Sequence, residues 1–579
     1  MKLNVKNTIK VGFAFAIVMT FWGAYDFVIP LLLENAFGLS HTMRGLIMGL
    51  DNLLSLFMLP LFGKLSDKTN TKWGRRTPYI FIGTIISCVL MIFVPISANR
   101  ALKDGMALRE QITQTHVAGY SYKTLDGKHE FKNQTEIYEF LYEKGKENSD
   151  YADHDYMEKS GIKTKEHYLR IATNPFTNFK DAEDLTGTPN VDKKGNPAIS
   201  TNYKNFVQAG INNFASNEVG VSAKTNHVAS LVIYMIILFL VLVAMATFRS
   251  PAVALMPDVT PKPLRSQANA IINLAGGIGG AISFLIYTIT LMINPTGFIA
   301  IFVAVACAMA LLLVGFMLLV NEKKLLKECE EVCAEYGISN DDTDEELVKA
   351  DGTLVSEVAA DPAELKRAKM ISFFLILASI FMWFMGYNAV GSTLSIFLTK
   401  TLLVSPGWAS IVSGISMGIS AIAFIPVGML AVKIGRRKSI ILGFGLAVLS
   451  FLLIFLFAAM PGKASVYLFT VFYLIAGFGL IIANVNTFPM VVELSSASDV
   501  GKYTGLYYTA TMSAQAITPF IAGIFMDKYG SRYLFLYSLC CVILAIVLMF
   551  FVKHGDSKPL PKKKKSEEEA VEKVEAEAI

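Results

Sequence analysis

The chain has 579 residues and a mass of 63.5 kDa, and its composition is that of a membrane protein. Hydrophobic residues make up 53% and charged residues 17%, whereas a soluble globular chain carries about a quarter charged residues. Mean hydropathy is +0.48, which excludes most soluble cytosolic enzymes. The formal net charge of +5 gives no reason to expect a nucleic-acid partner. None of the six cysteines has metal-ligand spacing with a histidine, so we expect no disulfide framework, metal site or cofactor.

Long apolar windows recur along the chain and predict twelve transmembrane helices of roughly 20 residues or more. The predicted spans are 10–33, 43–63, 77–98, 228–256, 267–293, 297–320, 370–399, 407–432, 439–460, 465–491, 503–526 and 533–552. The first span lacks a small-residue cleavage site, so we expect it to be retained as a helix. Lys and Arg gather in even-numbered short connections such as 64–76 and 433–438, which places both termini in the cytoplasm of a multi-pass cell-membrane protein.

Two polar segments interrupt the spans and set the predicted domain boundaries. In order, these are 1–98 (helices 1–3 of an N-terminal bundle), 99–226 (an extracellular insertion), 227–320 (helices 4–6), 321–369 (a cytoplasmic linker), 370–552 (helices 7–12 of a C-terminal bundle) and 553–579 (a charged cytoplasmic tail). The insertion is long enough for a small domain. Its segments Thr135–Lys144 and Lys163–Ala172 have helical spacing, and 186–198 has the composition of a loop.

The two sets of six spans carry related motifs. The connection after span two, Gly63–Arg76 (GKLSDKTNTKWGRR), is echoed after span eight by Gly428–Arg437 (GMLAVKIGRR). The end of span four aligns with the end of span ten, which puts Asp258 opposite Glu493. Two echoes at corresponding positions indicate a duplicated architecture.

These glycine, acidic and GRR elements resemble the signature of the major facilitator superfamily. More narrowly, Gly63–Ile80 is similar to the corresponding loop of the glycoside, pentoside and hexuronide cation symporters and of the sucrose/proton symporters, including their animal solute-carrier branch. The resemblance implies an all-α fold of two pseudo-symmetric six-helix bundles around a central cavity, with transport by alternating access. It also implies a sugar or glycoside as substrate and a coupling cation, and we expect a monomer in the lipid bilayer.

The charged motifs predict a gate beside the cytoplasm. Gly63 allows span two to approach a neighbouring helix closely, and Asp67 can accept hydrogen bonds from a facing helix N-terminus. Arg75 and Arg76 lie where they could reach Asp258 across the bundle. The corresponding gating candidates in the second half are Arg436, Arg437 and Glu493. The alternative is positive charge that sets topology, together with a solvated loop.

Very few ionisable residues lie inside the spans, and Asp26 and Asp51 are the main ones. They lie on antiparallel spans at similar depth, so they could meet and bind a coupling cation. The alternative is a structural hydrogen bond or a position in the outer vestibule. The sodium-coupled melibiose type carries two acids at positions that are Ser55 and Leu59 here, which favours a proton over sodium. All seven histidines lie in loops, the insertion or span edges, which disfavours a histidine relay.

Arg249 in span four either faces the cavity, where its guanidinium could bind sugar hydroxyls, or extends towards the cytoplasm. Sugar recognition also needs flat aromatic faces and amide or hydroxyl groups. In the family that the chain resembles, spans one, four, seven and ten line the cavity. The substrate-binding candidates are Trp22, Tyr25, Arg249, Tyr387, Asn388 and Asn484. For any one of the aromatic residues, packing against lipid is the alternative.

The sequence therefore predicts a secondary active transporter of a sugar or glycoside, driven by proton symport. Two alternatives stay open: a drug or amphiphile exporter of the same fold, and a non-transporting receptor whose extracellular insertion binds a ligand. An enzyme is not expected, because neither the spans nor the insertion contain a nucleophile paired with a base.

Overall fold

The computed structural model describes residues 3–115, 119–180, 183–261, 264–335, 363–415, 434–459, 463–492, 494 and 500–554. Within these ranges, eleven helices are long and apolar enough to cross a membrane. They account for eleven of the twelve predicted spans. The predicted eighth span, 407–432, lies mainly outside the described residues, although 406–415 is helical.

The helices and strands follow one another in this order. The first three membrane helices are α1 (Val5–Phe37), α2 (His41–Asp67) and α3 (Thr77–Thr113). The insertion contains β1 (Tyr122–Lys123), β2 (Glu130–Phe131), α4 (Gln134–Gly145), α5 (His154–Lys159), α6 (Lys165–Thr173), β3 (Thr177–Asn178), β4 (Thr188–Pro189), α7 (Thr201–Tyr203) and α8 (Ala209–Thr225). Next come α9 (Val228–Asp258), α10 (Arg265–Ile293), α11 (Phe298–Leu319) and the linker helix α12 (Glu322–Glu335). The second half contains α13 (Ala363–Ile396), α14 (406–415), α15 (Arg436–Leu453), α16 (Lys463–Val492), α17 (Val500–Tyr529) and α18 (Leu534–Phe550).

The turn between α1 and α2 shows why the chain reverses there. Gly38 ends α1 in the left-handed conformation, with φ of 50°, and its N–H donates to the Glu34 carbonyl at 3.0 Å. Ser40 then caps α2, because its hydroxyl accepts from the Met43 N–H. A Cβ at Gly38 would overlap the Ser216 carbonyl of the insertion, so this position needs glycine.

The insertion is a small domain with its own hydrophobic core. Both predicted helices are confirmed, as α4 and α6, and they pack around buried Tyr138, Leu141 and Tyr168. Strands β1 and β2 form one short antiparallel pair, and β3 and β4 form another. The predicted loop at 186–198 contains only the two-residue strand β4 and one isolated bridge between Val191 and Pro197.

Helix α3 is longer than predicted, because it runs to Thr113 instead of ending near residue 98. Its last turns leave the apolar window and pack against α8. The two helices together mount the insertion on the membrane bundle. Hydropathy alone does not detect such a continuation, since the extra turns are polar.

The two halves of the bundle contact each other through α2 and α17. A Cβ on Gly45 would overlap the carbonyl of Pro519, and one on Gly49 would overlap the carbonyl of Ala516. Both glycines lie in the first turns of α2, at the end of the bundle that carries the insertion. We call this the insertion end, and we call the opposite end, which carries α12, the linker end. Small residues thus hold the halves together at the insertion end.

Candidate functional site

One face of α1 opens on a cavity inside the bundle. Phe15, Met19 and Trp22 are half-buried and Asp26 is exposed, whereas every residue from 27 to 34 is buried. The spacing of the four residues puts them on one side of the helix. Because the rest of α1 is packed inside the protein, the exposed Asp26 side chain faces a solvent-accessible cavity. This cavity lies beside residues 15–26 of α1 and ends beyond Asp26, where residues 27–34 are buried.

Asp26, Asp51 and Arg249 lie within electrostatic range of one another at the closed end of this cavity. The two carboxylates interact electrostatically with each other, and each interacts with the guanidinium. Asp51 is 8% exposed, and its Oδ1 accepts from Asn52 Nδ2 at 3.0 Å. In the described part of the chain no hydrogen bond reaches the Asp26 carboxylate. The result is a group of two acids and one base inside the membrane-spanning region, which we call the Asp26 cluster.

Arg249 lies inside the bundle, which decides between its two predicted orientations. Its guanidinium carbon is 5.1 Å from the centre of the Trp22 ring, a cation–π contact, and its Nη1 donates to Ser55 Oγ at 3.3 Å. Ser55 is one of the two positions at which the sodium-coupled type carries an acid. A cation therefore occupies the space that a sodium-binding carboxylate would need.

Several aromatic side chains surround the cluster. Trp22 and Tyr25 lie edge to face with ring centres 5.3 Å apart. The Trp22 Nε1 and the Tyr25 hydroxyl are buried without a hydrogen-bond partner among the described residues. An unsatisfied buried polar atom costs about 1–3 kcal/mol, so such atoms are common where a ligand supplies the missing partner.

Tyr287 of α10 belongs to this surrounding set, although the sequence analysis missed it. Its ring stacks on Phe27 at 4.8 Å, and its hydroxyl interacts electrostatically with Asp26. A tyrosine in the middle of the apolar stretch after residue 280 was the available signal, because a buried hydroxyl normally needs a partner.

The second half contributes Tyr387 of α13, which also interacts electrostatically with Asp26. Its neighbour Asn388 donates through Nδ2 to the Phe384 carbonyl of its own helix at 2.9 Å. Asn484 is exposed in the middle of α16, between the buried residues Ala483 and Asn486. Among the described residues, hydrogen bonds connect neither asparagine to the first half. The structure therefore places Trp22, Tyr25, Arg249 and Tyr387 around the Asp26 cluster. Asn388 and Asn484 lie on helices of the second half.

The predicted gating residues of the first half form a separate cluster at the linker end. Arg75 Nη2 lies 2.8 Å from Asp258 Oδ1, and Arg76 Nε lies 2.8 Å from Asp258 Oδ2. Arg76 also pairs with Asp67 at 2.5 Å and donates to the Gly63 carbonyl at 3.3 Å. These contacts join α2, the start of α3 and α9, all within one half. A Cβ on Gly63 would lie only 3.1 Å from Ser250 Oγ, which agrees with close packing of α2 on α9.

The acid that caps the N-terminus of α3 is Glu322, so the role predicted for Asp67 is wrong in this respect. The Glu322 carboxylate accepts from the backbone N–H groups of Arg75, Arg76 and Thr77 and from the Thr77 hydroxyl, at 2.7–3.1 Å. Glu322 is 1% exposed, whereas the Asp67 side chain is 53% exposed. Glu322 was missed because it begins a charged linker. Its position directly after the sixth span was the available signal.

Of the three gating candidates in the second half, the structure describes Arg436 and Arg437. Arg437 Nη2 donates to the Phe550 carbonyl at 2.7 Å, and its Nε donates to the Met549 carbonyl at 3.3 Å, so it satisfies the C-terminal end of α18. Arg436 is the first residue of α15. Glu493 lies outside the described residues.

The long apolar helices, joined in two halves around a cavity that holds a charge cluster, are those of a multi-pass membrane transporter. The chain belongs to the major facilitator superfamily. The family profile described as Major Facilitator Superfamily matches residues 375–578, and the one described as MFS/sugar transport protein matches residues 11–117. The resemblance stated from the sequence is thereby confirmed.

Known structures and curated relatives agree with this family. The structure titled "Crystal structure of D-xylose-proton symporter" has a TM-score of 0.50 and 15% identity, covering 95% of this chain and 98% of that chain. The inward-open xylose transporter XylE from E. coli has a TM-score of 0.51 and 14% identity, covering 98% and 99%. At such low identity these likenesses show the fold alone.

The curated relatives match over short segments. The sucrose transport protein SUT1 of rice (Oryza sativa subsp. japonica) is 32% identical over 62 residues, which is 11% of this chain and 12% of the relative. The protein YagG of Escherichia coli (strain K12), named after glycoside/cation symport, is 30% identical over 97 residues, or 16% of this chain and 21% of the relative. The chain thus matches about a fifth or less of the length of these two relatives.

Proposed function

We propose that this protein takes up a sugar or glycoside together with a proton by alternating access. The linker end faces the cytoplasm with both termini, and the insertion lies outside the cell membrane. The names of the rice and E. coli relatives support the substrate class. The single observation that carries the coupling is the Asp26 cluster at the closed end of a solvent-accessible cavity. The Asp26 cluster is polar, whereas an exporter of amphiphiles would need a more apolar cavity. The two relatives are named as a transport protein and a symporter, which does not favour a receptor.

The charges of the cluster account for coupling to one cation. With both carboxylates ionised, Asp26, Asp51 and Arg249 carry a net charge of −1, and one bound proton makes the group neutral. Moving a net charge through a region of low dielectric constant is costly, whereas a neutral group moves at little electrostatic cost. Reorientation of the halves is therefore easiest when the site is protonated.

A proton fits this site better than sodium does. A sodium site needs several oxygen ligands, but the Arg249 guanidinium lies against Ser55 and repels a second cation there. A proton needs only one carboxylate oxygen. The position of Arg249 beside Ser55 therefore also contributes to ion selectivity in this proposal.

Arg249 also links the sugar to the proton in this proposal. Its guanidinium covers one face of the Trp22 ring, and aromatic faces are the surfaces on which sugar rings stack. A sugar that takes this face displaces the guanidinium towards one carboxylate. The remaining carboxylate then holds its proton more firmly, because a buried charge without a partner is costly. The free Trp22 Nε1 and Tyr25 hydroxyl are the proposed hydrogen-bond donors to the sugar, and Tyr387, Asn388 and Asn484 complete the site from the second half.

The linker-end cluster has a supporting role. Arg75, Arg76, Asp67 and Asp258 fasten α2, α3 and α9 to one another, which lets the first half move as one body. In this proposal these residues contribute to gating because they keep the first half rigid while it moves relative to the second half. The corresponding residues of the second half, Arg436, Arg437 and Glu493, are proposed to do the same there.

The test is uptake by the purified full-length protein in proteoliposomes with an acidic exterior. We expect radiolabelled sucrose, or another glycoside from a panel of α- and β-linked disaccharides, to accumulate and to leak out when a protonophore is added. A sodium gradient without a pH gradient should drive no accumulation. Accumulation that needs sodium would refute proton coupling, and no uptake of any sugar, with efflux of amphiphilic dyes instead, would refute the substrate class.

A further inference from the structure

The insertion is firmly mounted on the first half of the bundle. Arg109, near the end of α3, donates to Ser216 Oγ of α8 at 2.6 Å and to the Glu34 carbonyl of α1 at 2.8 Å. Gly38 and Gly220 bring the backbones of the α1–α2 turn and α8 into direct contact. The insertion therefore moves with the first half.

The opposite side of the insertion contacts the second half. We call residues 147–155, which follow α4 and include the first two residues of α5, the clasp loop. The Ser149 N–H donates to the Tyr529 carbonyl at 3.1 Å, and Asn148 Nδ2 donates to the Asp527 carbonyl at 2.9 Å. The Asp150 carboxylate accepts from the N–H and the hydroxyl of Ser531 at 2.8 and 2.9 Å. Their partners lie at the end of α17 and in the turn that follows it.

An ion pair completes this interface. Arg532 Nη1 lies 2.9 Å from both carboxylate oxygens of Asp153, and the Arg532 guanidinium packs over the Phe455 ring at 5.2 Å. Arg532 is 2% exposed, so the pair is shielded from solvent on the side of the second half. The Tyr533 hydroxyl adds a bond to Asp155 at 3.1 Å.

A second, inner layer of contacts joins the halves directly. Lys400 Nζ of the second half lies 3.6 Å from Glu34 Oε1 of the first. The Asp527 carboxylate accepts from the N–H groups of His41 and Thr42 at 2.8 and 2.9 Å, so the second half caps the N-terminus of α2. His41 Nε2 also lies 3.5 Å from Asp150 Oδ2 of the clasp loop, and a cavity of about 310 Å³ is lined by residues of this layer and of the clasp loop.

We propose that the insertion is a clasp that holds the two halves closed at its own end, and that each transport cycle must release it. This inference rests on transport by alternating access but not on the identity of the sugar or the ion. The clasp loop is fixed to one half and bonded to the other, so rotation of the halves that opens the insertion end must separate 147–155 from 527–533.

The chemistry of the clasp suits repeated opening. The contacts described above for the clasp loop are hydrogen bonds and the Asp153–Arg532 ion pair, and water can replace each of them when the interface separates. The net gain per hydrogen bond is then small, although the sum over the interface biases the equilibrium. Such a bias makes the closed insertion end the resting state without locking it.

The first test measures the opening of the insertion end directly. Spin labels are placed at exposed Asn294, at the insertion end of the first half, and at exposed Tyr467 of the second half, in protein reconstituted without sugar. We expect Asp153→Asn and Arg532→Gln each to raise the ratio of open to closed states about tenfold, seen as longer distances between the labels. The double variant should add little, because both changes break the same pair.

The matched control is Glu143→Gln. Glu143 pairs with Lys146 and Lys165 inside the insertion, so this change removes an acid of the same domain without affecting the clasp loop. If Asp153→Asn gives the same distances as Glu143→Gln and the wild type, the clasp is refuted. If the distances lengthen as expected while the wild type takes up no sugar, the clasp holds and the proposed substrate class fails.

The second test closes the clasp covalently. An Asp150→Cys/Ser531→Cys protein, at two positions whose side chains are hydrogen-bonded across the interface, should lose at least about 90% of its transport activity on oxidation and regain it on reduction. The single variants are the controls. Full activity in the oxidised, demonstrably cross-linked protein would show that the clasp need not open and would overturn the proposal.

Discussion

The two groups of charged residues in the first half differ in how completely they are paired. At the linker end, Asp258 accepts from two arginines and Glu322 accepts from three backbone N–H groups and a hydroxyl. In the Asp26 cluster, no hydrogen bond reaches Asp26 among the described residues, and Arg249 bonds to a serine instead of to either acid.

This difference indicates two kinds of role for the same side-chain chemistry. A charge whose bonding capacity is filled has a single stable arrangement and fastens helices together. A charge left without a strong partner inside the membrane is costly, so its retention points to a cation or ligand that arrives during the cycle. We therefore expect changes at the linker end to affect stability and changes in the Asp26 cluster to affect coupling.

The largest expected effect is on coupling. An imposed gradient of about two pH units supports roughly 100-fold sugar accumulation when one proton moves with each sugar. Asp51→Asn should reduce this accumulation to equilibration and leave counterflow exchange of sugar in part, because the neutral amide mimics the protonated acid. Proteoliposome uptake and counterflow measure both quantities. Asp126→Asn, an exposed acid of the insertion, is the control, and unchanged accumulation in Asp51→Asn would remove that residue from coupling.

The next effect concerns the cap of α3. Glu322→Ala leaves three backbone N–H groups and the Thr77 hydroxyl without their acceptor in a buried position, which should cost about 3 kcal/mol of stability. Thermal unfolding in detergent should show a lower midpoint than for the wild type. Glu331→Ala, on the exposed face of the same helix α12, should unfold like the wild type. Equal midpoints for both variants would mean that the cap is dispensable.

The smallest expected effect is a difference in stability between variants of the two neighbouring arginines, Arg75 and Arg76. The Arg76 side chain is 6% exposed and contacts Asp67, Asp258 and the Gly63 carbonyl, whereas that of Arg75 is 36% exposed and pairs through Nη2 with Asp258. Arg76→Gln should therefore cost about 2 kcal/mol, and Arg75→Gln less than about 1 kcal/mol. Unfolding midpoints measured side by side give the comparison. The reverse order would contradict the contacts described for the cluster.

The sequence predicted the helical fold and much of the clusters, because their signals are local. Apolar windows locate spans wherever 20 residues suffice, and an acid inside such a window is conspicuous. The contact of Arg75 and Arg76 with Asp258 followed from a motif that the two halves share.

Other features depend on partners that are distant in sequence. Glu322 caps a helix that begins 245 residues earlier, and Asp153 pairs with a residue 379 positions away. Neither partner has a composition that stands out in its own segment. The position of Arg249 over Trp22 was likewise undecided, since a guanidinium near the end of a span can also extend towards the headgroups.

The most direct test of the central claim is to count the protons that move with the sugar. In weakly buffered proteoliposomes, addition of the transported sugar should make the external medium more alkaline, with one proton taken up for each sugar molecule. Asp26→Asn and Asp51→Asn should take up sugar down its gradient with no such change in pH. Sugar entry into wild-type vesicles without alkalinisation, or alkalinisation that persists when both acids are replaced, would contradict the account.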